Sequence, residues 1–242
     1  MIARAGLIIP SSNRMVEEEM VGAFPRAVRA HVTRLRMTGR NRGPLEQLLP
    51  HIEEATRALS DAKCGIVAFH CTANSMQEGR DGEERILSAI RRAGAPRATT
   101  TATAIRRAFD ALAARKVVLV TPYNQRTTDH EAEFLSETGC EVLHAVGCAL
   151  GGSDAYCSAP PAYWRERVLA VARPDAEVYL VSCANIAVFS VIDDLEAALD
   201  RPVVTSNQAV LWDCVGALGC RDAGGAGRLF ATNALAEPAL NP

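Results

Sequence analysis

Short apolar runs alternate along this chain with longer segments of helical periodicity. The short runs have strand length and are rich in β-branched residues, whereas the longer segments carry apolar residues along one helical face. The predicted strands cover residues 4–9, 31–36, 64–69, 98–101, 117–121, 140–146, 177–182 and 202–205. The predicted helices cover residues 14–29, 45–60, 82–93, 102–114, 127–138, 161–172, 187–199 and 207–218. This regular alternation predicts an α/β fold with parallel sheets.

The second half of the chain repeats the pattern of the first half. The segment Gly6–Asn13 reads like Val118–Asn124, and Ile66–Cys71 reads like Val178–Cys183. In both halves a proline follows the first strand and a cysteine follows a later strand, and the same number of positions separates the two. Matched order and matched spacing indicate two similar lobes.

The repeat also predicts the domain organisation. Each half continues with a strand that begins after a proline and ends in hydroxyl residues, in Pro96–Thr100 and in Pro202–Ser206. We predict two pseudo-symmetric α/β lobes, each a parallel sheet flanked by helices, with the active site in the cleft between them. The predicted lobes cover residues 1–105 and 106–220, the last helix at 207–218 is a candidate for packing on the first lobe, and residues 221–242 form a tail.

A cysteine ends the repeated strand in each lobe, at Cys71 and at Cys183. Ligands of open α/β sheets bind beyond the carboxyl ends of the strands. If a pseudo-two-fold axis relates the lobes, the two thiols approach one cleft from opposite sides, so that one can take a proton and the other can give one. Strand-to-helix turns stabilise a thiolate and bind carboxylates through their backbone N–H groups. We therefore predict that these two cysteines act together on a small carboxylate.

Neutral hydrogen-bond donors occupy the same turns. These candidates for substrate binding are Ser11, Ser12, Asn13, Thr72, Tyr123 and Asn124. Each feature also has a plainer interpretation, because a cysteine is often a buried core residue, a Ser-Ser-Asn segment can be an ordinary helix N-cap, and the tyrosine can be a surface residue. His70 is expected to pack away from the cleft, because neighbouring strand side chains point to opposite faces.

Composition narrows the functional classes. The chain has 242 residues, of which 48% are hydrophobic, and this is enough for a sizeable core. The 26 basic and 28 acidic residues nearly balance, so we expect no nucleic-acid partner. Apolar runs reach only strand length and no cleavable leader pattern precedes the first strand, so we expect no membrane partner and a cytoplasmic location.

The cysteines do not form a recognisable framework. The chain has 8 cysteines and 5 histidines, without a Cys-x-x-Cys pair and with the histidines scattered. We therefore expect no metal site and free thiols in a reducing compartment.

The order of these motifs resembles the Asp/Glu racemase superfamily, in particular its maleate cis-trans isomerase and arylmalonate decarboxylase branch. The resemblance covers residues 4–220. The segments that carry it are Ile9–Asn13, Cys71, Thr121–Asn124, Ser182–Cys183 and Pro202–Ser206.

The resemblance implies an isomerase without a cofactor that converts maleate to fumarate. Cys71 then adds to the double bond as a thiolate and forms a thioether, while Cys183 acts as general acid and base. Asn13, Tyr123 and the backbone amides after the two cysteines, including that of Ala184, hold the carboxylates. The resemblance also implies a homo-oligomer, a dimer or a tetramer.

Other activities of the same superfamily stay open. Arylmalonate decarboxylases resemble this chain at Cys183 but have glycine in place of Cys71. Arg14, the polar segment around Cys71 and the segment 147–161 depart from the isomerase pattern. An amino-acid or hydantoin racemase that uses two thiols, an arylmalonate-type decarboxylase and a ligand-binding protein without catalysis are the alternatives.

Overall fold

The computed structural model describes residues 2–37, 43–220 and 225–232. The strands are β1 Ala3–Pro10, β2 Val28–Leu35, β3 Ile66–Phe69, β4 Ala98–Thr100, β5 Lys116–Thr121, β6 Glu141–Gly147, β7 Val178–Val181 and β8 Val203–Thr205. The helices are α1 Met15–Glu19, α2 Leu45–Asp61, α3 Thr72–Met76, α4 Gly79–Arg92, α5 Thr101–Ala111, α6 Gln125–Glu137, α7 Ser153–Ser158, α8 Pro161–Leu169, α9 Ile192–Leu199, α10 Ser206–Ala217 and α11 Arg228–Ala231.

The strands form two four-stranded parallel sheets with the same topology. The strand order is β2-β1-β3-β4 in the first sheet and β6-β5-β7-β8 in the second. The register repeats as well: Leu7 pairs with Ala68 in the first sheet, and Leu119 pairs with Leu180 in the second. The predicted α/β class with two similar parallel sheets is confirmed.

One core cluster joins the two sheets. It contains Leu7 of β1 and Leu119 of β5, together with Ile105 of α5 and Trp212 of α10, and all four side chains are buried. Strands covered on both faces by helices must be apolar throughout, and every residue of β3 and β7 is buried accordingly. The apolar runs in the sequence are therefore central strands, since helices shield both of their faces from water.

Helix α10 contacts residues of the first sheet. Asp213 accepts a hydrogen bond of 2.6 Å from the hydroxyl of Thr99 in β4, and it forms an ion pair of 2.8 Å with Arg107 in α5. Residues 105 and 106, where we placed the boundary between lobes, lie inside α5. The boundary itself stays a prediction.

Several predicted helix boundaries are wrong. The helix predicted over 14–29 ends at Glu19, and a short 3₁₀ turn follows over Val21–Ala23. Phe24 is extended, with ψ 137°, because the next residue, Pro25, disfavours helical geometry before it. The helix predicted over 187–199 begins at Ile192, after a second 3₁₀ turn at Phe189–Val191.

Two segments for which no helix or strand is predicted contain short helices. Helix α7 lies within 147–161, and α11 lies within the predicted tail. Leu229 of α11 is fully buried in the shared core; residues 221–224 and 233–242 of that tail lie outside the described residues. In the part of the chain that the structure describes, no helix is long and apolar enough to cross a membrane.

Candidate active site

A cavity of about 540 Å³ lies where the carboxyl ends of strands from the two sheets come together. Its walls come from the segments after β1 and β2, from the turns that follow β3, β5 and β7, and from the segment around α7. The lining residues are Pro10, Ser12, Asn13, Met37, Cys71, Thr72, Tyr123, Gly151, Gly152, Ser153, Asp154, Tyr156, Cys183, Ala184 and Asn185.

The two predicted thiols line this same cavity. Cys71 precedes the first residue of α3 and is 7% exposed, and Cys183 follows β7 and is 5% exposed. The thiol of Cys71 donates to Oδ1 of Asn74 at 3.3 Å. The charge of Cys71 is one of the influences that raise the pKa of Cys183, so the two sulfur atoms lie within electrostatic range of one another.

Cys183 holds its proton firmly. Burial raises the pKa of its thiol to about 12, and this effect outweighs two hydrogen bonds that lower the pKa, from the Tyr123 hydroxyl and from the backbone N–H of Asn185. The Asn185 N–H donates to Sγ at 3.3 Å. At neutral pH this thiol is therefore a proton donor, while the two hydrogen bonds are already in place for the thiolate that remains after donation.

Tyr123 is fixed against Cys183 from the turn after β5. Burial is the main reason why its pKa lies well above the usual value, and the neighbouring Cys183 raises it further. The ring of Tyr156 packs edge-on against the Tyr123 ring, with centroids 5.8 Å apart. The phenol is therefore a neutral donor in the cavity at physiological pH.

Asn13 connects the turn after β1 to the turn that carries Cys183. Its side-chain Nδ2 donates to the carbonyl oxygen of Ala184 at 2.8 Å, and its Oδ1 accepts from the backbone N–H groups of Met15 and Val16. The backbone N–H of Arg14 donates to Oδ1 of Asn185 at 2.8 Å. One wall of the cavity is thus cross-linked by side-chain amides of both halves.

Comparison with known proteins gives the family. The protein-family model described as arylmalonate decarboxylase matches residues 5–230 of this chain. The chain belongs to the arylmalonate decarboxylase family. This match confirms the branch of the Asp/Glu racemase superfamily that the motifs resemble.

Members with two different activities are similar to this chain. The maleate isomerase of Geobacillus stearothermophilus is 25% identical over 224 residues, which cover 86% of this chain and 89% of the relative. The arylmalonate decarboxylase of Bordetella bronchiseptica is 29% identical over 192 residues, which cover 76% of this chain and 79% of the relative.

A solved structure shows the same fold. It is a mutant of the maleate cis-trans isomerase of Nocardia farcinica with a covalently bound succinylcysteine intermediate. The TM-score is 0.84 at 23% identity, and the match covers 95% of this chain and 98% of that chain.

The seven substrate-binding residues that the sequence of this chain predicts separate into two groups. Five of them line the cavity: Ser12, Asn13, Thr72, Tyr123 and Ala184. The structure does not bring the other two, Ser11 and Asn124, into the described lining. Asn124 is exposed and uses its Oδ1 to accept from Thr127 N at 2.9 Å as the N-cap of α6, which is the plainer interpretation of such a residue.

No motif in the sequence marks the segment around α7 as part of the site. This segment contributes Gly151, Gly152, Ser153, Asp154 and Tyr156 to the cavity. It has no counterpart in the repeat, and its Gly-Gly pair is too common a feature to indicate a site. Its position depends on packing across the cleft, for example the 3.1 Å hydrogen bond between the hydroxyls of Ser153 and Ser12.

His70 lies outside the cavity, as expected from strand alternation. It is fully buried, donates from Nε2 to Oδ1 of Asn207 at 2.9 Å and accepts at Nδ1 from the Thr101 hydroxyl at 3.0 Å. Burial lowers the pKa of the imidazole to about 4, so it is neutral at physiological pH. A neighbouring hydroxyl pair, Thr72 and Ser206 at 2.9 Å, links the Cys71 turn to α10.

Across residues 2–37, 43–220 and 225–232, no cluster of His, Cys, Asp and Glu side chains is arranged to hold a metal ion. All 8 cysteines are free thiols. The cavity lining brings the two buried thiols together with neutral hydrogen-bond donors such as Thr72 and Tyr123.

Proposed function

We propose that this protein is an isomerase, independent of a cofactor, that converts maleate or a closely related cis-enedioate to the trans isomer. The observation that carries the proposal is that Cys71 and Cys183 line one small cavity from the two halves of the fold. Family relatives named as maleate isomerases support this choice of substrate.

Cys71 is the proposed nucleophile. Its thiolate adds to one carbon of the double bond, and the electron pair of the π bond moves to the neighbouring carbon, where the carboxylate stabilises it as an enediolate. The thiol of Cys183 donates its proton to that carbon, which leaves a succinyl thioether on Cys71 and a thiolate on Cys183.

The same two groups reverse these steps after rotation. The carbon–carbon bond of the thioether is single and turns freely. The Cys183 thiolate then removes the proton, the double bond re-forms, and the carbon–sulfur bond breaks to release the trans product and the Cys71 thiolate. No atom or electron is consumed, so the cycle needs no cofactor.

The electrostatics of the cavity suit this cycle. Burial keeps the Cys183 thiol protonated before the reaction, and the hydrogen bonds from Tyr123 and Asn185 stabilise its transient thiolate. We propose that Ser12, Asn13, Thr72, Tyr123 and the Ala184 amide hold the substrate carboxylates.

The test follows the product directly. Purified protein is incubated with maleate without added cofactor, and fumarate is followed by proton NMR. We expect turnover by the wild type and its loss, by about a thousandfold or more, in Cys71→Ser. Cys220→Ser, which removes a partly buried thiol outside the cavity lining, is the control. A folded protein that leaves maleate unchanged contradicts the proposal.

Decarboxylation of a substituted malonate is the second candidate. The family match and the 29% identity to the Bordetella bronchiseptica decarboxylase favour it. Loss of carbon dioxide leaves an enediolate, which Cys183 protonates, and Cys71 then has no role. Release of carbon dioxide from arylmalonates, increased by Cys71→Gly, supports this activity; no release excludes it.

The cytoplasmic location and the homo-oligomer stay predictions. Light scattering on the purified protein measures the mass in solution. We expect a dimer or a tetramer, and a mass equal to one chain contradicts this expectation.

A further inference from the structure

The rim of the cavity carries an unexpected negative charge. Asp154 is the one Asp, Glu, Lys, Arg or His residue in the described lining. Its side chain is 94% exposed, which places its carboxylate at the open side of the cavity. A dicarboxylate that enters there approaches a charge of its own sign, and this repulsion weakens binding.

Arg14 neutralises this charge from the other half of the fold. Its guanidinium Nη2 lies 2.6 Å from Oδ1 of Asp154. The backbone of Arg14 is held by the hydrogen bond to Asn185, so the base of the side chain has a defined position beside the Cys183 turn. The side chain itself is 52% exposed, and its guanidinium can reorient towards a ligand.

We propose that Arg14 and Asp154 set the number of negative charges that the substrate can carry. Arg14 cancels the charge of Asp154 and thereby admits a doubly charged carboxylate. This inference rests on the proposed function, because it takes the ligand of the cavity to be a small dicarboxylate. It assigns Arg14 a role in specificity and no part in the bond-making steps.

The same ion pair could act only as a mechanical link. It joins α7 to the turn after β1, beside the hydrogen bond between Ser153 and Ser12. The two roles differ in the sign of their effects. If the pair acts only as a link, loss of either charge changes the affinity in the same direction. If the charges act on the ligand, loss of the positive charge weakens the binding of a dianion and loss of the negative charge strengthens it.

Calorimetric titration of maleate into Cys71→Ser protein at low salt measures this sign without turnover. We expect Arg14→Gln to weaken binding by about threefold and Asp154→Asn to strengthen it by about threefold, within the range for exposed charges. The double variant returns to about the parent affinity. With the monoamide of maleate, which carries one charge, both shifts shrink, and added salt reduces them further.

Arg91→Gln is the matched control. Arg91 is 53% exposed and forms an ion pair of 2.7 Å with Glu84, outside the cavity lining. We expect this change to leave the affinity for maleate unaltered.

The inference is overturned if Arg14→Gln and Asp154→Asn shift the affinity for maleate in the same direction, or if neither change shifts it. It is also overturned if the protein does not bind maleate. Turnover by the wild type is judged separately. Opposite shifts without turnover support the charge pair and contradict the isomerase, whereas turnover with shifts of one sign supports the isomerase and contradicts the charge pair.

Discussion

The side-chain amide of Asn13 donates a hydrogen bond to the carbonyl oxygen of Ala184, 2.8 Å away and 171 positions along the chain. The other atom of the same amide, Oδ1, caps the first turn of α1. One buried residue therefore fixes both the start of a helix in the first half and the turn that carries Cys183 in the second half.

We expect Asn13→Asp to separate these two functions. The aspartate keeps an acceptor for the N–H groups of α1 but cannot donate to Ala184, and it places a negative charge beside the substrate. The free energy of unfolding should fall by about 2 kcal/mol, because a buried carbonyl loses its donor, and kcat/KM for the proposed reaction should fall by at least tenfold. Urea unfolding and steady-state kinetics measure the two effects.

Asn124→Ala provides the comparison. Asn124 caps α6 with the same type of hydrogen bond but is exposed and outside the cavity lining. Its loss should cost about 1 kcal/mol of stability and leave kcat/KM unaltered. Equal kinetic effects of the two changes would argue against a role for Asn13 in the site.

Replacement of Cys183 should trap the thioether, because water can slowly supply the proton that completes it, whereas no thiolate is left to remove that proton again. Serine is a far weaker acid and base than a thiol, so Cys183→Ser should lower kcat by about 10² to 10⁴-fold. Mass spectrometry after incubation with maleate should then detect a succinyl group on the peptide that contains Cys71. The double variant with Cys71→Ser should show no such group, and undiminished turnover in Cys183→Ser would contradict the assigned role.

The hydroxyl of Tyr123 lowers the pKa of Cys183 against the larger effect of burial. Removal of this hydroxyl in Tyr123→Phe should raise the pKa of the thiol further and slow the proton donation that forms its thiolate. The loss of one hydrogen bond to a charged group predicts a decrease in kcat of about tenfold to a hundredfold. Steady-state kinetics with maleate measure it.

Tyr163→Phe is a matched control for that change. The Tyr163 hydroxyl is also hydrogen-bonded to a thiol, that of Cys148, but neither residue belongs to the described cavity lining. An unaltered kcat in this variant together with a decrease in Tyr123→Phe is the expected result. Equal rates in both variants would remove Tyr123 from the mechanism.

His70 should make the fold sensitive to acid. Because burial lowers its pKa to about 4 from the ordinary value of 6.5, the unfolded chain binds a proton more readily than the folded chain between these values. Stability is therefore unaffected above about pH 6.5 and falls by about 3 kcal/mol as the pH decreases to about 4.

His70→Gln should flatten this dependence, since glutamine does not titrate. Urea unfolding of both proteins at about pH 7 and about pH 4.5 gives the difference that belongs to His70. His130→Gln, at an exposed position, should behave like the wild type. A wild-type pH dependence that survives in His70→Gln would show that other groups cause it.

The sequence indicated most of the sheet architecture because central parallel strands are apolar along their whole length and stand out as short runs. The repeat then related Cys71 to Cys183, since both end equivalent strands. Periodicity defines helix ends less well: the 14–29 segment follows a helical pattern, yet Pro25 and a 3₁₀ turn divide it. The position of Asn124 in the repeat suggested that its side chain binds the substrate. In the structure, that side chain caps α6.

The sequence by itself determined the parallel α/β class, the two-fold repeat and the two strand ends that carry the thiols, because these depend on local periodicity and on spacing. Only the tertiary structure decided that α7 lines the cavity, that Asn13 binds the Cys183 turn, and that Arg14 meets Asp154 across 140 positions of the chain. Such contacts join segments without any shared local pattern, and they form only when the core shared by the two sheets brings the two halves together.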